Sequence, residues 1–487
     1  MKTRNRTICQ TCRLRKIGCD GQKPACSQCI HTGRECSYPL DFIFITEPII
    51  QGSKDTTKQS EPKTNSSSGI SLCPRSQSNV PLALELLLPK TPSNPVQDML
   101  LLIMQSFMPE SEVLTFSQHT QTQPRICGGW VEVLPMISIG GQGQALPSAI
   151  SCLAASISSL RQNTYSGYTV SLEKYGSAMR LLKREINQPR KEILSRDEVA
   201  AAIMCLTLTE AILPSSGTSW WRHVDGVGEW MRLWGPESFS LGARHKLFTG
   251  FRPLLVLKDF MSRKASFLST ENWKRLPFKS QQATTMELLL SEASGIPTIL
   301  ELIDTIEHST PSVSSFIAAQ AIASLTTSYD NLQGWGEPLD ADPSTCLFCW
   351  RTPSNSSWAW GGYNIWFPSV SAANLAMHLW AFKVVCLTEI QRLQTRFPDV
   401  PCDWPVPAGW ELGHWLRDTY IELSVRIVQS ANFLLQDRLA LFGPLSIPFP
   451  LTTACQTFKM DGERSVELWK LTNDILQRSL LQRYRST

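Results

Sequence analysis

Apolar residues recur at helical spacing along most of the chain from about Met99 onward. One such stripe runs through residues 219–234 and consists of Trp220, Val224, Val227, Met231 and Trp234. Residues three and four apart lie on one face of a helix, so this pattern predicts an amphipathic helix. Gly235 and Pro236 follow the stripe directly and predict its end.

Other segments show the same periodicity. The comparable stripes cover residues 171–187, 371–396, 417–441 and 463–484. Ser195 and Glu198 form a capping box that predicts the start of a further helix, which Pro214 closes. Alternating patterns typical of strands are scarce. We therefore predict a large, mostly α-helical body built from packed amphipathic helices.

The segment before this body has a different composition. Residues 51–79 are rich in Ser, Thr, Lys, Gln and Asn, and prolines follow at 81, 89, 92 and 95. This composition is typical of a mobile linker. Heptads are not sustained over three or four repeats, so no coiled coil is predicted. A dimer remains possible, but the sequence gives no zipper to form it.

Charge is distributed unevenly along the chain. The 487 residues carry a net charge of only +4, yet residues 1–40 hold eight Lys or Arg against two acids. A nucleic-acid contact is therefore expected at the N-terminus. The first residues lack the apolar core of an export signal, and no run reaches the roughly 18 apolar residues of a membrane span. No membrane association is predicted, and the scattered further cysteines suit a reducing compartment.

Six cysteines in residues 9–36 repeat the spacing C-x2-C-x6-C twice. They are Cys9, Cys12, Cys19, Cys26, Cys29 and Cys36. Structural zinc takes four ligands, so two ions need eight ligand positions. Six thiolates fill eight positions if two of them bridge both ions. Cys9 and Cys26, the first of each half, are the natural bridging pair.

Two other arrangements of these cysteines remain open at this point. They could form disulfides, or a single zinc site could use Cys9, Cys12, Cys26 and Cys29. The single site leaves the duplication unexplained. Zinc stoichiometry distinguishes two ions, one ion and none. His31 lies between two of the cysteines, but six thiols already satisfy two ions, so we interpret it as a surface loop residue.

The motif, the basic run Arg13–Lys16 and Pro24 resemble the fungal Zn2Cys6 binuclear cluster. This resemblance implies two short helix–strand halves around two structural zinc ions, with the first helix in the major groove of double-stranded DNA. It also implies that Arg15 and Lys16 read a CGG-type half-site. The residues implied in phosphate contact are Arg4, Arg6, Arg13 and Lys23. Gly18 departs from the family pattern, which usually has Lys or Arg there, so one phosphate contact should be lost.

The body resembles the fungal-specific regulatory domain that commonly follows this cluster. The residues that carry the resemblance are Trp221, His223, Gly226, Gly235, Pro236, Arg252, Phe267 and Trp273. The resemblance implies a cluster domain in residues 1–41, a linker in 42–98 and an α-helical regulatory domain in 99–487. It further implies a nuclear regulator of RNA polymerase II transcription, with co-regulators or a small-molecule effector as possible partners.

Motifs for catalysis are weak in this sequence. Cys346 and Cys349 form a second C-x2-C without a partner pair, and the glycines of residues 140–143 lack the lysine of a phosphate loop. His223 is interpreted as a satisfied core residue. We therefore predict a transcription factor and no enzyme, controlling metabolic or secondary-metabolite genes. The alternative is a receptor-type regulator whose helical domain binds an effector.

Overall fold

The structure is a computed structural model that describes twelve segments of the chain. They are residues 11–12, 15–20, 26–34, 95–108, 129–140, 143–162, 165–187, 197–213, 219–340, 348–356, 359–402 and 404–481. The chain divides into two compact units, Met1–Leu88 and Pro89–Thr487. The domain borders expected after residues 41 and 98 stay predictions. In the first unit the structure gives the bounds of helix α1, Ser27–His31.

The second unit begins with helices. Its first part contains α2 (Pro95–Phe107), α3 (Leu134–Gly140), α4 (Ala145–Gln162), α5 (Tyr165–Ile186), α6 (Asp197–Ile212), α7 (Ser219–Trp234), α8 (Gly242–Ser262) and α9 (Glu271–Arg275). The helix predicted for residues 219–234 is confirmed by α7. The helix predicted after Ser195 is confirmed by α6, which starts at Asp197, whereas Ser195 lies outside the described residues and its capping box stays a prediction. The predicted 171–187 stripe belongs to α5, which begins six residues earlier.

The second part of this unit is also helical, apart from one hairpin. It contains α10 (Thr285–Ala293), α11 (Ile296–Asp304), α12 (Pro311–Gln333), β1 (Trp350–Pro353), β2 (Tyr363–Trp366), α13 (Val370–Arg396), α14 (Leu412–Leu434), α15 (Phe442–Ser446), α16 (Pro448–Asp461) and α17 (Val466–Leu481). The stripe predicted at 417–441 is shifted, since α14 ends at Leu434. A 3-10 turn at Asp437–Leu439 follows it.

Helix α13 forms the centre of the core. It packs against α12, α14 and α16, and its side chains are buried on all sides for most of its length. The Phe382 ring on α13 stacks on Phe260 of α8, with ring centroids 4.8 Å apart. By length and hydropathy α13 would be long enough to cross a membrane, but 89% of its apolar window is buried inside the protein. Its apolar character is therefore that of a core helix.

The short hairpin formed by β1 and β2 was not predicted. The strands are antiparallel, with Trp350 opposite Trp366 and Pro353 opposite Tyr363. Gly361 and Gly362 precede β2 with φ values of 67° and 77°, a conformation that glycine adopts without steric cost. Four-residue strands are too short for an alternating pattern to stand out in the sequence.

Gly143, in the glycine-rich stretch 140–143, has a structural role. The backbone N–H of Gly143 donates to Glu198 Oε1 at 3.2 Å, and the N–H groups of Gln144 and Ala145 donate to Glu185 Oε1 at 2.7 and 2.9 Å. These donors lie at the N-terminus of α4, where helix N–H groups lack intrahelical partners. Carboxylates of the protein already occupy the place that an anion would take.

A buried ion pair connects α8 with α10. Arg252 is fully buried and donates from Nη1 to the Glu287 carbonyl at 2.9 Å and to the Glu287 carboxylate. Its Nη2 donates to Ser291 Oγ at 2.7 Å. Burial raises the pKa of Glu287, while the charge of Arg252 opposes that rise. Each of the two charges depends on the other, because either one alone would be buried without a compensating charge.

We expect Arg252→Ala to destabilise the helical body by about 3–5 kcal/mol, because the substitution leaves the Glu287 carboxylate buried without its cation. Urea unfolding of the full chain, followed by far-UV circular dichroism, measures this loss. The control is Lys264→Ala, since Lys264 is 63% exposed and pairs with Glu301 at 2.9 Å. That exposed pair should contribute less than about 1 kcal/mol. Equal losses in the two variants would contradict the role assigned to burial.

Candidate metal centre and nucleic-acid interface

Three of the predicted zinc ligands lie together in the first unit. Cys12, Cys26 and Cys29 are buried, and their sulfur atoms all lie within 4.8 Å of one another. The Cys12 and Cys26 sulfurs are 3.6 Å apart. Cys19 approaches Cys26 in a second group, which also contains a carboxylate oxygen of Asp20. Cys26 thus belongs to both groups, the position that a shared ligand would need.

Helix α1 brings two of these thiols to one side. Cys26 precedes the helix in an extended conformation, and its carbonyl accepts hydrogen bonds from the N–H groups of Cys29 and Ile30, each at 3.0 Å. The tight turn places the two cysteines of the C-x2-C pair on the same face. His31 is exposed, which confirms its predicted surface position, but it is the last residue of this helix and not part of a loop.

Asp20 connects the two halves of the cysteine repeat. Both of its carboxylate oxygens accept from the backbone N–H of Ser27 at 3.3 Å, and one accepts from the Ser27 hydroxyl. The carboxylate therefore lies at the first N–H of α1, where negative charge is favourable. The sequence motif gave no reason to single out Asp20.

A backbone hydrogen bond recurs at the same 17-residue interval as the cysteines. The N–H of Ile17 donates to the Cys12 carbonyl at 3.1 Å, and the N–H of Arg34 donates to the Cys29 carbonyl at 3.0 Å. Both bonds span five residues and lie 17 positions apart, as the equivalent cysteines do. Such a bond is typical of a helix that ends at a left-handed residue.

Lys16 and Gly33 are these left-handed residues. Their φ values are 53° and 61°. Glycine adopts this conformation freely, whereas a side chain with a Cβ costs about 1–2 kcal/mol there. The first half of the repeat therefore has a lysine in the left-handed conformation, whereas the second half has a glycine at the equivalent position. Arg15 and Lys16 are both exposed next to the buried thiols.

Several predicted site residues lie outside the described residues. They are Cys9, Cys36, Arg4, Arg6, Arg13 and Lys23. Gly18 is described and exposed, and a Cβ placed on it meets no atom within 4 Å. Space therefore does not explain why this position lacks the expected basic residue.

Two family models match the chain. The fungal Zn(2)-Cys(6) binuclear cluster domain matches residues 7–41, and the fungal specific transcription factor domain matches residues 110–310. The chain therefore contains a Zn2Cys6 cluster domain and a fungal-specific transcription factor domain, the two domains that the sequence predicted. Its cluster domain binds two zinc ions, and the thiol group of Cys12, Cys26 and Cys29 fits that role. These matches identify a transcription factor, which is not an enzyme.

The curated relatives match the chain over short stretches, and the chain spans less than a fifth of their length. Transcription factor lfc1 of Flammulina velutipes is 54% identical over 37 residues, which is 8% of this chain and 13% of the relative. Transcription factor FUP7 of Fusarium proliferatum (strain ET1) is 53% identical over 36 residues, 7% of this chain and 15% of the relative. Transcription activator AMTR1 of Alternaria alternata is 58% identical over 41 residues, which is 8% of this chain and 5% of the relative. No solved structure matches.

The buried histidines that the structure describes in the body have hydrogen-bond partners. His223 is buried, and its Nε2 lies 2.8 Å from the Tyr175 hydroxyl, which confirms the prediction of a satisfied core residue. Burial lowers the pKa of His378 to about 4 and raises the pKa of the Cys152 thiol to about 11. Among the described residues, groups of three potential metal ligands occur only in the cysteine cluster.

We expect Lys16→Gly to stabilise the first unit by about 1 kcal/mol, because it removes the strain of a left-handed residue with a Cβ. Gly33→Ala should cost a similar amount in the equivalent position. Zinc retention by the full chain against increasing chelator concentration measures both changes. Arg15→Ala is the control, since it removes the neighbouring positive charge without touching a left-handed residue. If Lys16→Gly lost its zinc at a lower chelator concentration than the wild type, the claim that the Lys16 backbone is strained would be wrong.

Proposed function

We propose that this transcription factor binds double-stranded DNA in a sequence-specific, zinc-dependent manner and regulates RNA polymerase II transcription in the nucleus. The observation that carries the proposal is the exposed pair Arg15–Lys16 on the turn that follows the buried thiols. Lysine and arginine are the side chains that most often contact guanine O6 and N7 in the major groove. We assign the reading of a CGG-type half-site to this pair.

The proposed zinc ligands are all six cysteines of the repeat. One ion takes Cys9, Cys12, Cys19 and Cys26, and the other takes Cys26, Cys29, Cys36 and Cys9. The presence of Cys26 in both thiol groups supports its role as a bridge. With every ligand position filled by sulfur, the ions have a structural role and no open position for chemistry.

Phosphate contacts complete the proposed interface. We assign them to Arg4, Arg6, Arg13 and Lys23, which hold the domain on the duplex without reading its sequence. Residues 1–41 form the proposed DNA-binding domain, 42–98 the linker and 99–487 the regulatory domain. We propose metabolic or secondary-metabolite genes as the targets.

We expect Lys16→Ala to lose about 1–3 kcal/mol of affinity for a CGG half-site and much less for random DNA, because it removes a base contact. Gly18→Lys should strengthen both complexes and steepen the salt dependence by about one unit, because it adds a phosphate contact. Fluorescence anisotropy with labelled duplexes over a range of salt concentrations measures both.

Lys183→Ala, an exposed lysine of α5 in the regulatory domain, is the matched control and should change neither complex. Equal losses of Lys16→Ala on the half-site and on random DNA would count against the groove contact. They would leave Lys16 as a phosphate contact only.

A cavity in the helical body favours the second candidate function, an effector-responsive regulator. It has a volume of about 700 Å³ and lies between the C-terminal end of α13, the N-terminal end of α14 and the end of α16. Its lining includes Arg392, Arg396, Arg417 and His414, together with the acid Glu411, whose carboxylate lies 3.5 Å from His414 Nδ1. Arg392 and Arg417 are paired with acids, whereas Arg396 has no ion pair among the described residues. A small anionic effector, such as a carboxylate or phosphate, fits this lining.

We expect citrate or inorganic phosphate to raise the thermal unfolding temperature of the full chain, because a ligand of the native state stabilises it by mass action. Arg396→Ala should abolish the rise. Arg275→Ala, an exposed arginine on α9, should retain it. The same rise in all three proteins would indicate a general salt effect and would remove the cavity from consideration as an effector site.

A further inference from the structure

Lys383 of α13 is a lysine in the interior of the helical body. Its side chain is fully buried. Leu379, Trp380 and Leu387, which lie about one helical turn away on the same side of α13, are fully buried as well. Lysine is almost never buried completely unless its ammonium group is paired. The position of Lys383 in the core is therefore unusual for an ionisable side chain.

The ammonium group of Lys383 makes no hydrogen bond to the described residues. Its Nζ atom has three N–H groups to donate, and none of them reaches an acceptor there. Buried polar groups in proteins are nearly always hydrogen-bonded, and an unpaired buried charge costs more than an unpaired neutral group. A methionine side chain would fill a similar space without this cost. The ammonium group therefore points to a ligand that pairs with it.

Two charged side chains lie near Lys383, and they are paired with each other. Glu337 follows the end of α12, and its Oε1 atom lies 2.5 Å from Arg426 Nη1 of α14. The same oxygen accepts a hydrogen bond from Trp380 Nε1 at 3.2 Å. Arg426 also donates from Nη2 to Glu422 Oε1 at 2.6 Å. The hydrogen bonds of Glu337 thus go to Arg426 and Trp380 and not to Lys383.

The charges of this cluster do not balance. Burial lowers the pKa of Lys383 to about 8, the charge of Glu337 opposes that shift, and the charge of Arg426 adds to it. Since this pKa lies above 7, the ammonium form predominates at neutral pH. Counting Arg426 against Glu337 leaves the charge of Lys383 over. One negative charge is needed to compensate it.

We propose that Lys383 binds a small monovalent anion inside the helical body, beside Glu337 and Arg426. The anion is a halide or the carboxylate of a small acid. Both carry the single negative charge that the cluster needs, and both accept hydrogen bonds from an ammonium group. A divalent anion such as sulfate would reverse the imbalance, because it would leave one negative charge buried without compensation.

The cluster reaches the surface on the side of Glu337 and Arg426. Their side chains are 21% and 14% exposed, whereas Lys383 is not exposed. We expect the anion to enter on this side. The site is distinct from the cavity lined by Arg396, because Arg396 lies 13 residues further along α13, a distance of about 20 Å.

Thermal unfolding of the full chain in different sodium salts, at one ionic strength, tests the proposal. We expect chloride to raise Tm by about 2 °C or more over gluconate, with saturation, because a ligand of the native state stabilises it by mass action. Gluconate has the same charge but is too large for the site. Acetate distinguishes the two sources of anion. A rise with acetate as well shows that carboxylates are accepted, and a rise with chloride alone assigns the site to halides.

Lys383→Met removes the ammonium group and should abolish the difference between chloride and gluconate. The matched control is Lys183→Met, the same change at an exposed lysine of α5, which should retain the difference. Arg396→Ala should retain it too, which separates this site from the cavity at the end of α13. Far-UV circular dichroism verifies that each variant is folded.

Glu337→Gln gives a second readout that does not depend on the folding of Lys383→Met. It removes the negative charge next to Lys383, so the chloride concentration at half-saturation should fall about tenfold. Equal Tm values of the wild type in chloride, acetate and gluconate would overturn the proposal. The same rise in Lys383→Met as in the wild type would do so as well, and so would a half-saturation concentration unchanged by Glu337→Gln.

Discussion

The close approach of thiol sulfurs is the constraint on which the first unit depends. Three sulfurs within 4.8 Å of one another, ionised as zinc requires, would repel each other without cations between them. Among the described residues of this unit, the buried cluster consists of Cys12, Cys26 and Cys29, with Cys19 packed against them. This cluster is made of thiols that serve as metal ligands, so its stability depends on the metal. Metal binding and folding are therefore one equilibrium in this unit, because the ligand set exists only when the chain is folded.

The regulatory domain is stabilised by a large apolar core and not by metal. Its core is a continuous set of aliphatic and aromatic side chains around α13. Among its buried charges, Arg252 of α8 and Glu287 of α10 are paired across helices. Since each unit has its own source of stability, loss of zinc should leave the helical body folded. A regulatory domain that stays folded without metal could still bind an effector.

Much of this arrangement could be predicted from the sequence, and the reasons differ between the two units. The helices of the body follow from periodicity, and Ser219–Trp234 matches because Gly235 and Pro236 end it sharply. Pro253 inside α8 and the four-residue strands of the hairpin depend on tertiary packing that no local pattern expresses. In the cluster, the cysteine spacing predicted a thiol centre, and Cys12, Cys26 and Cys29 lie together there. The contact of Asp20 with Ser27 and the left-handed Lys16 depend on how the two halves fold together, so the motif alone could not give them.

The difference between Lys16 and Gly33 makes the two halves of the repeat unequal. A duplication begins with identical copies, and here one copy carries a strained backbone while the other is relaxed. Strain in the first half lowers the barrier to opening its turn, whereas the second half has no such tendency. The zinc ion held mainly by the first half should then exchange faster than its neighbour. Metal loss would proceed in a fixed order, and a form with one ion, its Arg15–Lys16 turn already loosened, would precede complete unfolding.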